Sequence, residues 1–345
     1  MSVMPLALSS FGLVTGVGLD APSSCAAIRC AIDSFKETRF MDSGGEWIMG
    51  CEVPLEQPWR GKTKLIKMLV RAIQETFSQA PDLVPAETPL LLCLAESDRP
   101  GRVIDDDNQF FLELCGALGR EFHPKSAIVS QGHVSFATAL LRARRLIHEQ
   151  KVPQVLIAGA DGFLVGPTLA VFEQQDRLLT SQNSNGFIPG EAAAAVMVRG
   201  AGTGGEPQLV CSGLGFGVEQ ATIESEEPLR AEGLVQAIKA ALNEAGCEMG
   251  ALDFRITDIS GEQYHFKEAS LALSRTLRTR KEEFDIWHPA DCVGEVGAAI
   301  GGIMTVVIDA ACRKEYSKGR HILFHLGNDD GKRVAMVFGF AAVGT

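Results

Sequence analysis

Ser126-Ala-Ile-Val-Ser-Gln-Gly-His133-Val-Ser-Phe-Ala-Thr-Ala-Leu140 reads as a strand that passes through a small-residue turn into a helix. Ala127–Ser130 is short and mostly apolar, Gln131-Gly132 makes the bend, and the run Ala137–Leu146 has helical spacing. The next apolar run, Val155-Leu-Ile-Ala-Gly-Ala-Asp161, reads as a further buried strand. A strand–turn–helix–strand unit of this kind is the building block of layered α/β folds. The turn sets His133 at a helix N-terminus, where the macrodipole and free N–H groups favour negative charge.

The same alternation extends outward along the chain. An opening strand meets the glycine-rich bend Gly12-Leu-Val-Thr-Gly-Val-Gly18, and a helix is expected near Ser23–Ile32 with Ser23 or Ser24 as its cap. Lys62–Ser78 and Asp107–Leu118 read as helices, and Pro89–Leu94 as a short buried strand between them. After a polar loop, Thr180–Asn185, comes Gly186-Phe-Ile-Pro-Gly-Glu-Ala-Ala-Ala-Ala-Val-Met-Val198. A second series restarts at Pro207–Gly217 and continues through the amphipathic helix Leu229–Ala245 to a strand at Asp253–Ile259. The loop Arg199-Gly-Ala-Gly-Thr-Gly-Gly-Glu206 has the strongest linker character, which divides the chain into halves at residues 1–200 and 201–345.

Bulk properties narrow the function classes. A net charge of −11 argues against nucleic acid or an anionic membrane as partner, since either needs a basic face. The nine cysteines form no C-x-x-C pair and no zinc spacing, so they read as reduced core thiols of a cytoplasmic protein. The amino terminus lacks a basic leader, and no stretch is long and apolar enough to span a bilayer. No cofactor and no metal is expected.

Three motifs in order carry a resemblance. Gly186–Glu191 resembles the G-F-x-x-G-E/D signature of β-ketoacyl synthases, Val155–Asp161 their alanine-glycine strand, and Val293–Ile303 their G-H-x-x-G-A-A-G segment. Arg333–Phe338 sits where the family's last strand lies. The order holds over nearly the whole chain. The resemblance implies an α/β protein of the thiolase fold: a five-layer αβαβα sandwich from two similar α/β halves, usually dimeric.

The resemblance also implies a set of catalytic positions, and this chain departs from each. The acyl-accepting cysteine falls on His133, and no cysteine lies between Cys115 and Cys211. The first catalytic histidine falls on Ser260 in Ile256-Thr-Asp-Ile-Ser-Gly-Glu262, with Glu262 for the following threonine. The second falls on Gly294, and the lysine five residues before it on Pro289. Gly327-Asn-Asp-Asp-Gly-Lys332 replaces the glycine-phenylalanine loop that gates the acyl tunnel. Without a thiolate nucleophile no covalent acyl intermediate forms, and losing an oxyanion donor removes about 2.7–4 kcal/mol more. His133, Ser260, Pro289 and Gly294 are therefore expected to gather in a silent pocket, with His133 as its polar filler.

Other residues have a functional and a bland reading. Cys292, beside His288 and Asp291, offers a displaced Cys–His nucleophile, but reads more simply as a bystander thiol. Glu262, His265 and Glu268 have a metal-like spacing that also suits a solvated helix face. Gly61-Lys-Thr63 lacks the leading glycine of a phosphate loop, since Glu56 stands there. Asp105-Asp-Asp107 reads as a helix start.

The resulting expectation is a non-catalytic β-ketoacyl synthase-like binding partner. Two roles follow from the resemblance: a homodimer or a heterodimer with another thiolase-like protein, as chain length factors pair with an active synthase, or an accessory role in type VI secretion effector loading. A secretion effector and an acyl carrier protein are the other partners it implies. The competing expectation is a repurposed acyltransferase or hydrolase using Cys292 or His133.

Overall fold

The computed structural model describes residues 4–81, 83–202 and 205–341. The first half comprises β1 (Leu6–Val14), α1 (Ala21–Arg29), β2 (Lys36–Met41), β3 (Trp47–Gly50), α2 (Gly61–Ser78) and β4 (Leu90–Leu94). It continues with α3 (Asp107–Leu118), β5 (Ala127–Ser130), α4 (Ser135–His148), β6 (Gln154–Gly162), α5 (Gly166–Gln174) and β7 (Glu191–Gly200). The second half comprises β8 (Gln208–Val218), α6 (Glu232–Ala245), β9 (Phe254–Thr257), α7 (Gln263–Thr276) and β10 (Ile286–Trp287). It ends with α8 (Ala290–Val293), α9 (Ile300–Arg313), β11 (His321–Gly327) and β12 (Lys332–Ala341). The linker read at Arg199–Glu206 includes Thr203 and Gly204, which lie outside the described residues.

Ten strands form one sheet in the order β10-β9-β11-β12-β8-β1-β7-β6-β4-β5, and β2 with β3 makes a separate two-stranded sheet. The order is a mirror about its centre. Moving outward from β1, one meets an antiparallel β7, then β6, β4 and β5 mutually parallel. Moving outward from β8, one meets an antiparallel β12, then β11, β9 and β10 mutually parallel. Only Leu6–Leu8 and Leu209–Cys211 pair across the join, so two repeats of one topology share a short ladder.

Strand alternation sorts side chains into layers. In β4, Leu91 and Cys93 join the central core while Leu90, Leu92 and Leu94 join the outer one; in β11, Ile322 and Phe324 face the centre and Leu323 the outside. Helices α4 and α9 fill the centre, α2 and α3 cover the first half, and α6 and α7 cover the second. The result is the five-layer αβαβα sandwich.

Small residues set the distances between these layers. On β8, Gly213, Gly215 and Gly217 face α6; a Cβ on each would lie 2.1 Å from the carbonyl oxygen of Ala241, 2.0 Å from that of Ala237 and 2.0 Å from that of Gly233. A strand advances nearly 7 Å in two residues and a helix 6 Å in four, so the two series stay in step and the backbones touch. In the central layer, Gly302 brings α9 against Ala194 of β7.

Local signals shift some boundaries from those read in the sequence. Helix α1 begins two residues early because Asp20, not Ser23 or Ser24, is its cap: its carboxylate accepts the Ser23 N–H at 2.8 Å. Ser24 is buried and bonds back to the Gly18 carbonyl. The same helix ends at Arg29 in paired bonds from Ala31 N–H to Ile28 and from Ile32 N–H to Ala27, with Ala31 at φ +53°, where glycine is usual. Helix α6 starts at Glu232 because the Glu219 carboxylate accepts the Gly233 N–H at 3.0 Å.

The glycine series makes a test of the packing. Valine favours strands intrinsically, yet Gly215→Val is expected to destabilise the protein by about 1–3 kcal/mol or more, through overpacking against α6. Denaturant unfolding of the variant showing unchanged or raised stability would contradict the backbone contact.

Candidate functional site

The turn ahead of α4 is held by its neighbours. Gly132 has φ +55°, a left-handed conformation that favours glycine, and a Cβ there would displace the Glu96 carboxylate. Asn328 accepts the Val134 N–H at 3.2 Å and donates to the Gln131 carbonyl at 2.8 Å. Ser135 Oγ accepts the Gln131 N–H and donates to the Val129 carbonyl, both at 3.0 Å. These bonds fix the direction of the His133 ring.

His133 meets a carboxylate. Its Nε2 lies 2.7 Å from Glu295 Oε1, which also accepts the Gly297 N–H at 2.8 Å, while Ser260 Oγ donates to Glu295 Oε2 at 2.8 Å. The Gly186–Glu191 motif positions this group: the Glu295 N–H donates to the Ile188 carbonyl at 2.7 Å, and the Gly190 N–H to the Glu295 carbonyl at 2.8 Å. Gly294, at φ +74°, has room for no side chain, since a Cβ would lie 2.7 Å from the Ile188 oxygen.

The charges of this pair follow from two opposed effects. Burial disfavours charge on both groups, but the Glu295 carboxylate, by attraction and hydrogen bond, carries His133 up to about 10, with Asp258 and Glu96 adding to it. Burial likewise resists ionisation of Glu295, yet the imidazolium, the Gly297 N–H and Ser260 hold it at about 2. At neutral pH the pair is an imidazolium and a carboxylate.

More ion pairs enclose it. Arg177 binds Glu262 at 2.7 and 2.9 Å and Asp329 at 2.7 and 3.1 Å, with its guanidinium over the Phe172 ring at 5.1 Å. Arg99 binds the buried Asp161 at 2.7 and 2.5 Å. Arg333 binds Glu268 at 2.8 and 2.9 Å. The turn Gly327–Lys332 is thereby tied down twice, through Asp329 and Asn328. Phe163, Phe172 and Phe187 pack against one another with centroids 5.2–5.7 Å apart. The inner cavity beside this pair measures about 30 Å³, room for one or two waters. An outer hollow of about 320 Å³ leads to it past Glu96, Asp98, Glu224, Asp329 and Asp330.

The order of these groups limits their chemistry. In a serine–histidine–acid relay the imidazole lies between hydroxyl and carboxylate. Here the carboxylate lies between, and Ser260 gives its proton to Glu295. A protonated His133 has no lone pair free to act as base.

Two of the four expected positions, His133 and Ser260, line this cavity. The segment carrying Gly294 contributes the next residue, Glu295, because Gly294 only makes the turn. Pro289 lies elsewhere: with His288 and Cys292 it lines a separate cavity of about 490 Å³. Burial, then Asp291 and Asp33, push the Cys292 thiol up to about 11. Among the described residues that thiol makes no hydrogen bond to an imidazole, and His288 Nδ1 lies 2.8 Å from Asp291 instead.

Glu262 and Glu268 are buried rather than on a solvated helix face and go to different arginines, while His265 Nε2 stays 3.7 Å from Glu262. No group of three metal-ligating side chains forms among the described residues. Lys62 pairs with Glu113 at 2.7 Å, and Asp106 caps α3. No helix of the described residues is long and apolar enough to cross a membrane. Arg99 and Arg177 had no sequence signal, since their roles depend on distant partners, and Asn328 stood only within the loop singled out at Gly327–Lys332. Asp161 ended a recognised strand.

No protein-family model matches the chain, and no curated protein matches it. Solved structures do. A chain of a type II polyketide synthase complex, an acyl-carrier protein with its ketosynthase bound to the hexaketide, aligns with a TM-score of 0.79 at 13% identity, covering 98% of this chain and 100% of that one. The ishigamide ketosynthase/chain length factor gives 0.77 at 15% over 98% and 99%. A β-ketoacyl synthase from Burkholderia phymatum gives 0.73 at 15% over 98% and 100%. The fold is therefore the thiolase-type fold of the ketosynthases, and identity this low establishes the fold alone.

The ion pair has a measurable signature. The folded value of His133, about 10, exceeds its ordinary 6.5, so its contribution to stability is complete below about pH 6.5 and is lost as pH rises through about 10. Glu295, at about 2 against 4.5, contributes fully above about pH 4.5 and loses that contribution as pH falls through about 2. Histidine-selective NMR should find His133 still protonated at pH 8. Glu295→Gln should lower its titration from about 10, because the main group that raises it is lost, and destabilise the fold by about 3–5 kcal/mol. An ordinary titration near 6.5 in the unmodified protein would refute the assignment.

Proposed function

We propose that the chain is a non-catalytic ketosynthase-fold subunit that works by pairing with a thiolase-fold partner, another copy or a relative. The observation that carries the reading is the His133–Glu295 ion pair in a cavity of about 30 Å³. The position that would hold an acyl-accepting thiol carries an imidazole paired with a carboxylate instead, and the hollow of about 320 Å³ beside it is rimmed by acidic side chains. The neighbours that include ketosynthase and chain length factor chains support this reading without reaching the partner's identity.

Strand β5 supplies the pairing surface. It is the last strand of the ten-stranded sheet and bonds only to β4, leaving one edge free among the described residues. An open edge of this kind calls for a partner or a cover. The acidic residues around the outer hollow, Asp98, Glu224 and Asp330 among them, disfavour an anionic carrier arm. An accessory role toward a secretion effector would use the same scaffold, but no feature of the site selects it.

Ultracentrifugation at micromolar concentration, alone and with a co-expressed thiolase-fold neighbour, tests the reading. A dimer burying more than about 2,000 Å² is expected. Ala127→Lys, which puts a charge on β5 where Ala127 packs half-buried against the central core, should dissociate it while circular dichroism stays largely unchanged. A monomer in both samples would defeat the pairing. Acylation by thioesters that Cys292→Ala or His133→Gln abolishes would replace it with the transferase or hydrolase reading.

A further inference from the structure

The cavity that holds Pro289 and Cys292 is apart from the His133 site and has a different character. It lies where α1, β10, α8 and α9 meet, and its volume of about 490 Å³ falls within the roughly 300–1,000 Å³ typical of small-molecule sites. Ile28, Ile286, Trp287, Pro289 and Val307 make its wall apolar. The wall is preformed: the Trp287 ring packs on Phe254 with centroids 4.5 Å apart, and α1 ends against the cavity in the left-handed Ala31.

One charge at the rim lacks a counterpart. Arg29, in the last turn of α1, lies over the Tyr316 ring at 4.3 Å, and among the described residues no carboxylate pairs with it. The other polar groups of the rim include His288 and Asp291, which lie 2.8 Å from each other. An oriented guanidinium beside an apolar hollow is the complement of a molecule with an apolar body and a single anionic group.

We propose that this cavity is a binding site for an amphiphile with one anionic headgroup, its apolar part against Trp287 and Val307 and its carboxylate or phosphate on Arg29. The proposal holds whether or not the His133 site is silent, because the two cavities share no lining residue.

Tryptophan emission supplies the readout, with decanoate and decyl phosphate as anionic probes and decylamine and decanol as controls. Saturable binding of decanoate, decyl phosphate or both is expected to change the emission, and the comparison between them identifies the headgroup. Trp287→Phe should remove that change, which separates it from Trp47 and Trp59. Arg29→Ala, an exposed position, should weaken binding about tenfold or more. Val307→Phe, which fills the cavity, should block binding in a protein whose thermal melt remains cooperative. Equal response to the amine or the alcohol, no response to either anion, or binding unaffected by Arg29→Ala would overturn the proposal.

Discussion

A buried carboxylate has to be answered, and Glu295 is answered from three directions. Its oxygens meet the His133 ring from the turn before α4, the Ser260 hydroxyl from the loop after β9, and the Gly297 N–H two residues on. These groups come from both repeats of the fold, so one side chain joins the halves at the centre of the sandwich. Losing one partner of a buried ion pair leaves an uncompensated charge, at about 3–5 kcal/mol. The surrounding pairs, Arg177 with Glu262 and Asp329 and Arg99 with Asp161, obey the same constraint.

Close layers make this meeting geometrically feasible. Glycines at 213, 215 and 217 bring α6 onto β8, and Gly302 brings α9 onto β7. Gly132, Gly190 and Gly294 then thread the loops past one another with carbonyls or carboxylates where side chains would stand. The cavity that results is small and polar, whereas the one beside α1 is large and mostly apolar. The fold thus carries two hollows of opposite character within one scaffold.

Much was legible in the sequence because it was periodic or local. The apolar runs at Pro89–Leu94 and Val155–Asp161 predicted β4 and β6 to within a residue, and the helical spacing of Lys62–Ser78 predicted α2. Errors arose where a neighbour outside the pattern decided, as when Asp20 capped α1 ahead of two serines. At the site, His133 and Ser260 were legible from motif order. Glu295 was missed by one residue because a glycine and the residue after it cannot be told apart by motif order alone. Only a positive φ and the crowding by Ile188 show that Gly294 makes the turn and Glu295 fills the pocket.

The sequence by itself determined the order of strands and helices, the small residues at the layer contacts, and the absence of a cysteine between Cys115 and Cys211. These are properties of composition and spacing along one line. Tertiary structure alone decided which charges neutralise each other: Arg177 meets Asp329 across 152 positions and His133 meets Glu295 across 162. It also decided that Pro289 and Cys292 belong to a second cavity. The physical reason is that burial and pairing are set by distance through space, which no local pattern in the chain encodes.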